Sequence, residues 1–514
     1  MTAAATPIHA LFDGWLGRNP QRVFLNLRGP GGEPVSMTYA HVGELVDALE
    51  AELLADGVQP GDRVLIVAEN CPQHLALILA CSRVGAWSCG VNARMAPGEI
   101  AAFADKADAR VHYFTSGVSR AASAHAHRFD ARPSAVDGLL RSPARVHAVA
   151  ETGPLAREVA AIIFTSGTSG TPKGVLMTHA GVTHFGRISA ASRQLGEDDC
   201  SYAYLPMTHI FGLGTVLVAS LYAGATLLMR TAFDPADTLD DLANHGITQL
   251  QGPPTLFSRL VAHMEQIGVK RPPAPKLRYV YTGAGPLDLT LKQRIEAAFG
   301  LPLHHGYGLS EYAGSVALTR LNEWREDTAA GYQVEGAQLR IVDPQSGRDL
   351  PTGERGEIWM RGVGLMPGYF RDPAATAAVM REGGWYASGD LGEMQADGAL
   401  TVVGRLKEMI IRSGFNVYPA EVEAALNAFP AIERSAVVGQ PAQDGNEDII
   451  AYVELRAGAA LDEDALRQHL RERLAPYKQP AAIRTVEHFP MTGSGKVLKR
   501  KLVEMHSPGQ RTIS

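Results

Sequence analysis

The sequence predicts an α/β protein. A large N-terminal domain of two doubly wound α/β lobes carries a small β-rich subdomain, and a small α+β C-terminal domain follows. Three observations carry this prediction. Apolar runs such as RVLIVA (63–68) and VAAIIFT (159–165) alternate with 10–15-residue stretches of helical periodicity, as βαβ units and parallel sheets require. After residue 333 the texture changes to short strands with polar turns: AQLRIVD, GEIWMRG and ALTVVGR. A length of 514 residues suits about three domains at roughly 150 residues each.

Taken in order, residues 24–27 and 34–37 flank the Gly/Pro-dense RGPGGE and form an antiparallel hairpin. Thr38 is an N-cap for a helix running through Leu54. Strand 63–68, helix 73–84, strand 86–91, helix 97–108 and strand 111–115 make the first alternation. Residues 119–148, rich in Ala, Arg and His without clear periodicity, form a surface excursion. A second alternation runs from residue 159 to about 303. Beyond Gly404 a final unit of about 110 residues has a helix (419–428), strands (435–439 and 448–455) and a second helix (461–474).

Composition excludes several classes. Hydrophobic residues make up 46% and charged residues 20%, with 53 glycines and 31 prolines, so the chain is neither disordered, collagen-like nor coiled coil. A net charge of −6 gives no footprint for nucleic acid, so an anionic ligand must be met by a local site. Cys71, Cys81, Cys89 and Cys200 contain no C-x-x-C pair and read as small buried hydrophobes in a reducing compartment. The first residues, MTAAATPIHALFDGWL, lack the basic and apolar regions of a secretory signal. Residues 210–229 are apolar enough to cross a bilayer. Gly212, Gly214 and Gly224 interrupt them, however, and Ala223-Gly224-Ala225 reads as a helix C-cap before the strand ATLLM. The expectation is a cytoplasmic protein with no integral membrane segment.

Four motifs carry chemistry. TSGTSGTPKG (165–174) follows an apolar strand; its glycines free backbone N–H groups for an anion, its hydroxyls add donors, and Lys173 adds charge. It is not a Walker loop, and the chain contains neither G-x-S-x-G nor G-x-G-x-x-G. GYGLSE (306–311) offers the flat ring of Tyr307 between Gly306 and Gly308, then a hydroxyl (Ser310) and a hard carboxylate (Glu311) suited to Mg²⁺ and phosphate. GWYASGD (384–390) puts Asp390 in a glycine turn as a ribose acceptor, and Arg405 follows in GRLKE. PMTGSGK (490–496) holds Lys496 between two glycines and the chain's basic tail.

In this order, with GFNVYPAEVE (414–423), VNARMAPGEI (91–100), YLPMTHIFG (204–212) and TGAGPL (282–287), the motifs resemble those of the adenylate-forming superfamily, and most closely the AMP-forming acyl-CoA synthetases. The resemblance covers residues 10 to about 503. It implies an acid–CoA ligase: a carboxylate takes AMP from ATP, releasing pyrophosphate, and CoA then displaces AMP. It further implies that Thr165, Ser166, Gly167, Thr168, Ser169 and Lys173 hold the β- and γ-phosphates. Gly283, Ala284 and Gly285, with Tyr307, would line the adenine pocket. Ser310 would meet the α-phosphate, Glu311 Mg²⁺, and Asp390 and Arg405 the ribose. Lys496 would bridge the carboxylate and the α-phosphate. His209, Phe211, Gly212, Gly306 and Gly308 would wall the acyl pocket. Lys407 would be the hinge between a domain of residues 1–403 and a mobile one of 404–514, with Gly414, Phe415 and Asn416 lining the CoA tunnel.

By the same resemblance, the missing acid after Leu205-Pro206 argues against amino acids. Gly308 in place of Trp argues against acetate, and Gly306 in place of Arg argues against malonate. A neutral, largely apolar acid remains, either a medium or long fatty acid or an aromatic one. Rival readings are a ligase that loads a carrier protein, an adenylate-forming oxidase, and a nucleotide-binding protein without catalysis. The expected partners are small molecules, with no nucleic acid, for a monomer or homodimer.

Overall fold

The computed structural model describes residues 6–29, 32–165, 173–412, 415–442, 446–491 and 497–505. Strands Val23–Arg28 (β1) and Pro34–Thr38 (β2) form the expected hairpin. Thr38 caps the helix Tyr39–Ala55, its hydroxyl accepting from the His41 N–H at 3.3 Å.

The first lobe is built on a seven-stranded sheet. Its strands are Arg63–Ala68 (β3), Trp87–Asn92 (β4), Val111–Phe114 (β5), Arg132–Pro133 (β6), Leu140–Arg141 (β7), Val159–Thr165 (β8) and Lys173–Thr178 (β9). They lie in the order β6-β7-β5-β3-β4-β8-β9. The β5-β3-β4-β8 centre is parallel, and β3 is buried at every residue because helices cover both faces. The excursion at 119–148 is more ordered than its composition suggests. It contains a helix, Arg120–Ala126, and adds β7 antiparallel to β5. Arg141 anchors it to Glu52 at 2.8 Å and Asp56 at 2.6 Å.

The second lobe holds a nine-stranded sheet. To β1 and β2 it adds Cys200–Ala203 (β10), Thr226–Met229 (β11), Gln249–Gly252 (β12), Tyr279–Thr282 (β13), Leu303–Leu309 (β14), Gly314–Leu318 (β15) and Tyr332–Gln333 (β16). The order is β16-β15-β14-β13-β12-β10-β11-β1-β2. The opening hairpin thus joins a sheet whose other strands begin at residue 200, with β1 parallel to β11.

The apolar stretch at 210–229 is the expected buried helix, turn and strand. Phe211–Val218 is wound as a π-helix, and Gly224 ends the following helix at φ 72° before β11. Among the described residues no helix is long and apolar enough to cross a membrane. All four cysteines are buried and unpaired.

Strands Ala337–Val342 (β17), Arg355–Gly362 (β18), Met380–Arg381 (β19), Trp385–Met394 (β20) and Leu400–Arg405 (β21) form the β-rich subdomain as one five-stranded sheet. Beyond it lie a two-stranded ribbon, Ile410–Arg412 (β22) and Phe415–Val417 (β23), and a three-stranded sheet, Ile432–Pro441 (β24), Glu447–Leu455 (β25) and Ala482–Thr485 (β26). The helices Pro419–Asn427 and Glu463–Arg471 contribute Val422, Leu426, Leu466 and Leu470 to a separate apolar core under that sheet.

Candidate active site

The C-terminal ends of the central strands converge, as expected of open α/β sheets. Thr165 closes β8 and is paired with Lys173 at the start of β9, so the two described ends of the phosphate-loop motif lie side by side. Residues Ser166, Gly167, Thr168 and Ser169 between them lie outside the described residues, as do Gly414 and Lys496. Lys173 Nζ sits 4.8 Å from the centre of the Tyr369 ring, a cation–π contact. Tyr369 Oη in turn donates to Glu311 Oε1 at 3.0 Å, and the Met366 N–H donates to the Glu311 carbonyl at 2.9 Å. One aromatic ring therefore links the lysine of the first motif to the acid of the second. Burial and the Glu311 charge push the Tyr369 phenol well above its usual range, keeping it a donor.

Gly306, Tyr307 and Gly308 lie on β14 itself, and Ser310 and Glu311 open the single 3₁₀ turn Ser310–Tyr312. Tyr307 Oη donates to Asp390 Oδ2 at 2.7 Å, and Arg405 Nε lies 3.1 Å from Asp390 Oδ1. Asp390 is 5% exposed and lies within strand β20, not in the glycine turn expected for it. The turn-like element is local: Gly389 has φ 71°, and its N–H donates to Glu357 Oε1 at 2.9 Å. Asp390 and Arg405 face each other in the register of β20 and β21. The Asp390 charge raises the Arg405 pKa, while burial and then Asp390 raise that of Tyr307.

Gly283, Ala284 and Gly285 follow β13 directly, and Ala284 holds a positive φ of 62°. A Cβ on Gly283 would lie 3.2 Å from the Gly306 carbonyl, so this turn packs against the end of the GYG strand. On the acyl side, His209 Nδ1 accepts from the Phe211 N–H at 3.1 Å, and Phe211 meets Tyr281 edge-on at 5.8 Å. A Cβ on Gly212 would stand 2.2 Å from the Pro206 carbonyl; only glycine lets the π-helix start this close to the Leu-Pro segment.

Gly308 packs tightly against the neighbouring strand. A Cβ there would lie 2.2 Å from the Gly314 carbonyl and 2.5 Å from Ser315 Cα, against the backbone of β15. A Cβ on Gly306 would approach Tyr281 Oη at 2.4 Å. Close strand packing requires both glycines here.

Lys407 lies in a 3₁₀ turn, Leu406–Glu408, directly after β21. Burial, with the Arg405 and Lys173 charges, lowers its pKa, while Glu408 and Asp390 oppose the shift. The site thus gathers Lys173, Arg405 and Lys407 around Glu311 and Asp390. Phe415 is 53% exposed and stacks on Tyr477 at 4.5 Å, and Asn416 pairs with Ile411 across the β22–β23 ribbon.

Sequence reasoning missed Tyr369, Tyr386 and Glu357. Tyr386 hydrogen-bonds to Tyr369, and Glu357 holds the Gly389 turn. Tyr386 lay inside a motif already singled out. Tyr369 and Glu357 had no comparable signal, because their roles come from β9 and β18 packing beside the motif strands.

Residues 12–370 match the AMP-binding enzyme family, and residues 421–496 match the AMP-binding enzyme C-terminal domain. A feruloyl-CoA synthase from Amycolatopsis sp is 34% identical over 471 residues, covering 90% of this chain and 93% of that protein. 4-Coumarate–CoA ligase 2 from Nicotiana tabacum is 31% identical over 487 residues, covering 90% and 88%. The crystal structure of ATP-bound MatB from Rhodopseudomonas palustris superposes with a TM-score of 0.83 at 28% identity, covering 98% and 99% of the two chains. With both family models matched, the first over more than two thirds of the chain's length, the chain belongs to the AMP-binding enzyme family.

Proposed function

We propose that this protein is an AMP-forming acid–CoA ligase whose substrate is an aromatic carboxylic acid. One observation carries the reading: the Tyr307–Asp390–Arg405 triad stands beside the Glu311–Tyr369–Lys173 triad, an acceptor and cations in each. Such a pairing suits a nucleotide, with hydroxyls at one carboxylate and phosphates at the other cluster. Relatives named for feruloyl and 4-coumaroyl thioesters support an aromatic acid over a fatty acid.

In this reading Asp390 accepts the ribose hydroxyls and Arg405 steadies it from the other side. Gly283, Ala284 and Gly285 line the adenine site with Tyr307. Thr165 and Lys173, with Ser166, Gly167, Thr168 and Ser169, hold the β- and γ-phosphates, and Ser310 donates to the α-phosphate. Glu311 would hold a Mg²⁺ ion through its hard carboxylate oxygens. When bound, the ion neutralises phosphate charge.

The acid, walled by His209, Phe211, Gly212, Gly306 and Gly308, attacks the α-phosphorus through a carboxylate oxygen as pyrophosphate leaves. Lys496 is assigned to bridge the two anions; a cation about 4 Å from each would be worth about 4 kcal/mol at an effective dielectric of 20. The CoA sulfur then attacks the acyl carbonyl and AMP departs, with Gly414, Phe415 and Asn416 along the thiol's path.

We place the domain boundary at residues 403/404 and the hinge at Lys407. Four buried thiols suit the cytoplasm, and the protein is taken as a monomer or homodimer acting on small molecules. The test is an acid panel (benzoate, cinnamate, 4-coumarate, ferulate, octanoate, palmitate) read by AMP release with and without CoA. CoA-dependent AMP release with the aryl acids supports the reading; a requirement for a phosphopantetheine carrier in place of CoA would replace it. Lys496→Ala should lose adenylation while ATP binding stays within a few-fold.

A further inference from the structure

Arg193 follows the helix His179–Ser192 and is 1% exposed. Its Nη2 donates to the Thr215 carbonyl at 2.6 Å and its Nη1 donates to Gln251 Oε1. Among the described residues no carboxylate pairs with it. Asp199, the acid whose field reaches it, is bound by Arg278 through Nε at 2.8 Å and Nη2 at 2.5 Å, with the Thr248 hydroxyl and Gly196 N–H also donating to it.

Two atoms in this cluster lack a hydrogen-bond partner among the described residues: Arg193 Nε and Gln251 Nε2. Gln251 Oε1 accepts from the guanidinium, which fixes the amide orientation and makes the unpaired atom the NH₂. Both unpaired atoms are donors, so what the cluster needs is an acceptor. Burial lowers the Arg193 pKa to about 10, leaving it cationic at neutral pH. A buried cation with an unmade N–H bond is costly unless something supplies that bond.

Arg193 borders a small cavity shared with Ser189, Thr215, Tyr281 and Ser315. Two of these residues join it to the acyl wall. Tyr281 Oη lies 3.3 Å from Ser315 Oγ, and its ring meets Phe211. Ser315 is paired with Gly308 across β14 and β15. The cavity therefore borders the residues assigned to the acyl wall.

We infer that Arg193, with Gln251 beside it, determines specificity by receiving an acceptor oxygen at the far end of the acid. A ring hydroxyl and a second carboxylate are the two sources of such an oxygen. This rests on the aryl-acid ligase reading and narrows it: an acid with a bare ring leaves the buried Arg193 Nε unpaired and is turned over less well.

The test compares cinnamate, 4-hydroxycinnamate and 4-carboxycinnamate in the full-length protein, by kcat/KM for CoA-dependent AMP release. Wild type should favour at least one oxygen-bearing acid over cinnamate by about 10- to 100-fold, the discrimination expected of a charged hydrogen bond. Whichever of the two is faster identifies the source. Arg193→Met should remove that preference while leaving cinnamate within about threefold, and Arg193→Lys should restore part of it.

If Arg193→Met does not fold, the wild-type ratio decides the matter by itself. Equal turnover of all three acids by wild type would overturn the inference and leave the ligase reading standing, with Arg193 Nε bonded to an ordinary buried water. An unchanged preference in a folded Arg193→Met would also overturn it. No AMP release from any acid would instead remove the ligase reading on which it rests.

Discussion

Tyr307 and Asp390, 83 residues apart, are joined by a 2.7 Å hydrogen bond from the phenol to a carboxylate that is 5% exposed. The bond aims the carboxylate from β14 while Arg405 holds its other oxygen from β21. Asp390→Ala should therefore raise the KM for ATP roughly ten- to hundredfold, the range for a hydrogen bond to a charged group. Tyr307→Phe, which loosens the aim but keeps the acceptor, should raise it only a few-fold. Pyrophosphate exchange at varied ATP measures both, and equal effects would show that Asp390 does not meet the nucleotide.

Glu311 and Tyr369 separate in the same manner. Glu311→Gln keeps an oxygen acceptor for the Tyr369 phenol, 3.0 Å from Oε1 in the native site, but removes the charge. It should lower kcat on the order of 10²-fold, the size typical of losing one electrostatic contact to the transition state, and raise the Mg²⁺ concentration needed for half-maximal rate. Tyr369→Phe should change the Mg²⁺ requirement by less than threefold. A Mg²⁺ titration of the three proteins checks this.

Lys407 occupies a 3₁₀ turn, so proline there matches the backbone of the conformation described and resists rotation away from it. Lys407→Pro should leave one half-reaction near wild type and slow the other at least tenfold. Rapid-quench measurement of acyl-AMP formation and of its consumption by CoA separates the two. Two unaffected half-reactions would remove the hinge from this position.

His74 is 1% exposed, and burial lowers its pKa from 6.5 to about 4. Between those values the unfolded chain binds the proton and the folded one does not, so stability falls as pH falls. Going from pH 7 to pH 5 should cost about 2 kcal/mol at this residue alone. Urea denaturation at pH 7, 6 and 5 measures the loss, and His74→Phe should lessen it by about that amount. An unchanged pH dependence in the variant would assign the effect to His112, His179, His304 and His305, which burial lowers similarly.

Local signals were legible where local physics decides. Thr38 caps its helix, Gly224 ends its own, and β8 spans residues 159–165 as the apolar run implied. Long-range pairing was not legible. Nothing in residues 23–28 says that they lie parallel to β11, about 200 residues away. The same limit holds in the site. Tyr307, Asp390 and Arg405 were found because each sits in a motif, whereas Tyr369 is brought to Glu311 by long-range backbone pairing, including its bridge to Val175 of β9. Arg193 lies in none of the motifs; only the tertiary fold shows it without a carboxylate partner among the described residues.

In the proposed reaction one site makes an acyl-adenylate and then passes the acyl group to CoA. The most direct measurement incubates the protein with α-labelled ATP, Mg²⁺ and 4-hydroxycinnamate, first without CoA and then with it. One equivalent of protein-bound acyl-AMP should form with pyrophosphate release and be chased on CoA addition to the thioester and free AMP. Formation of ADP and phosphate, or an adenylate that CoA does not discharge, would contradict it.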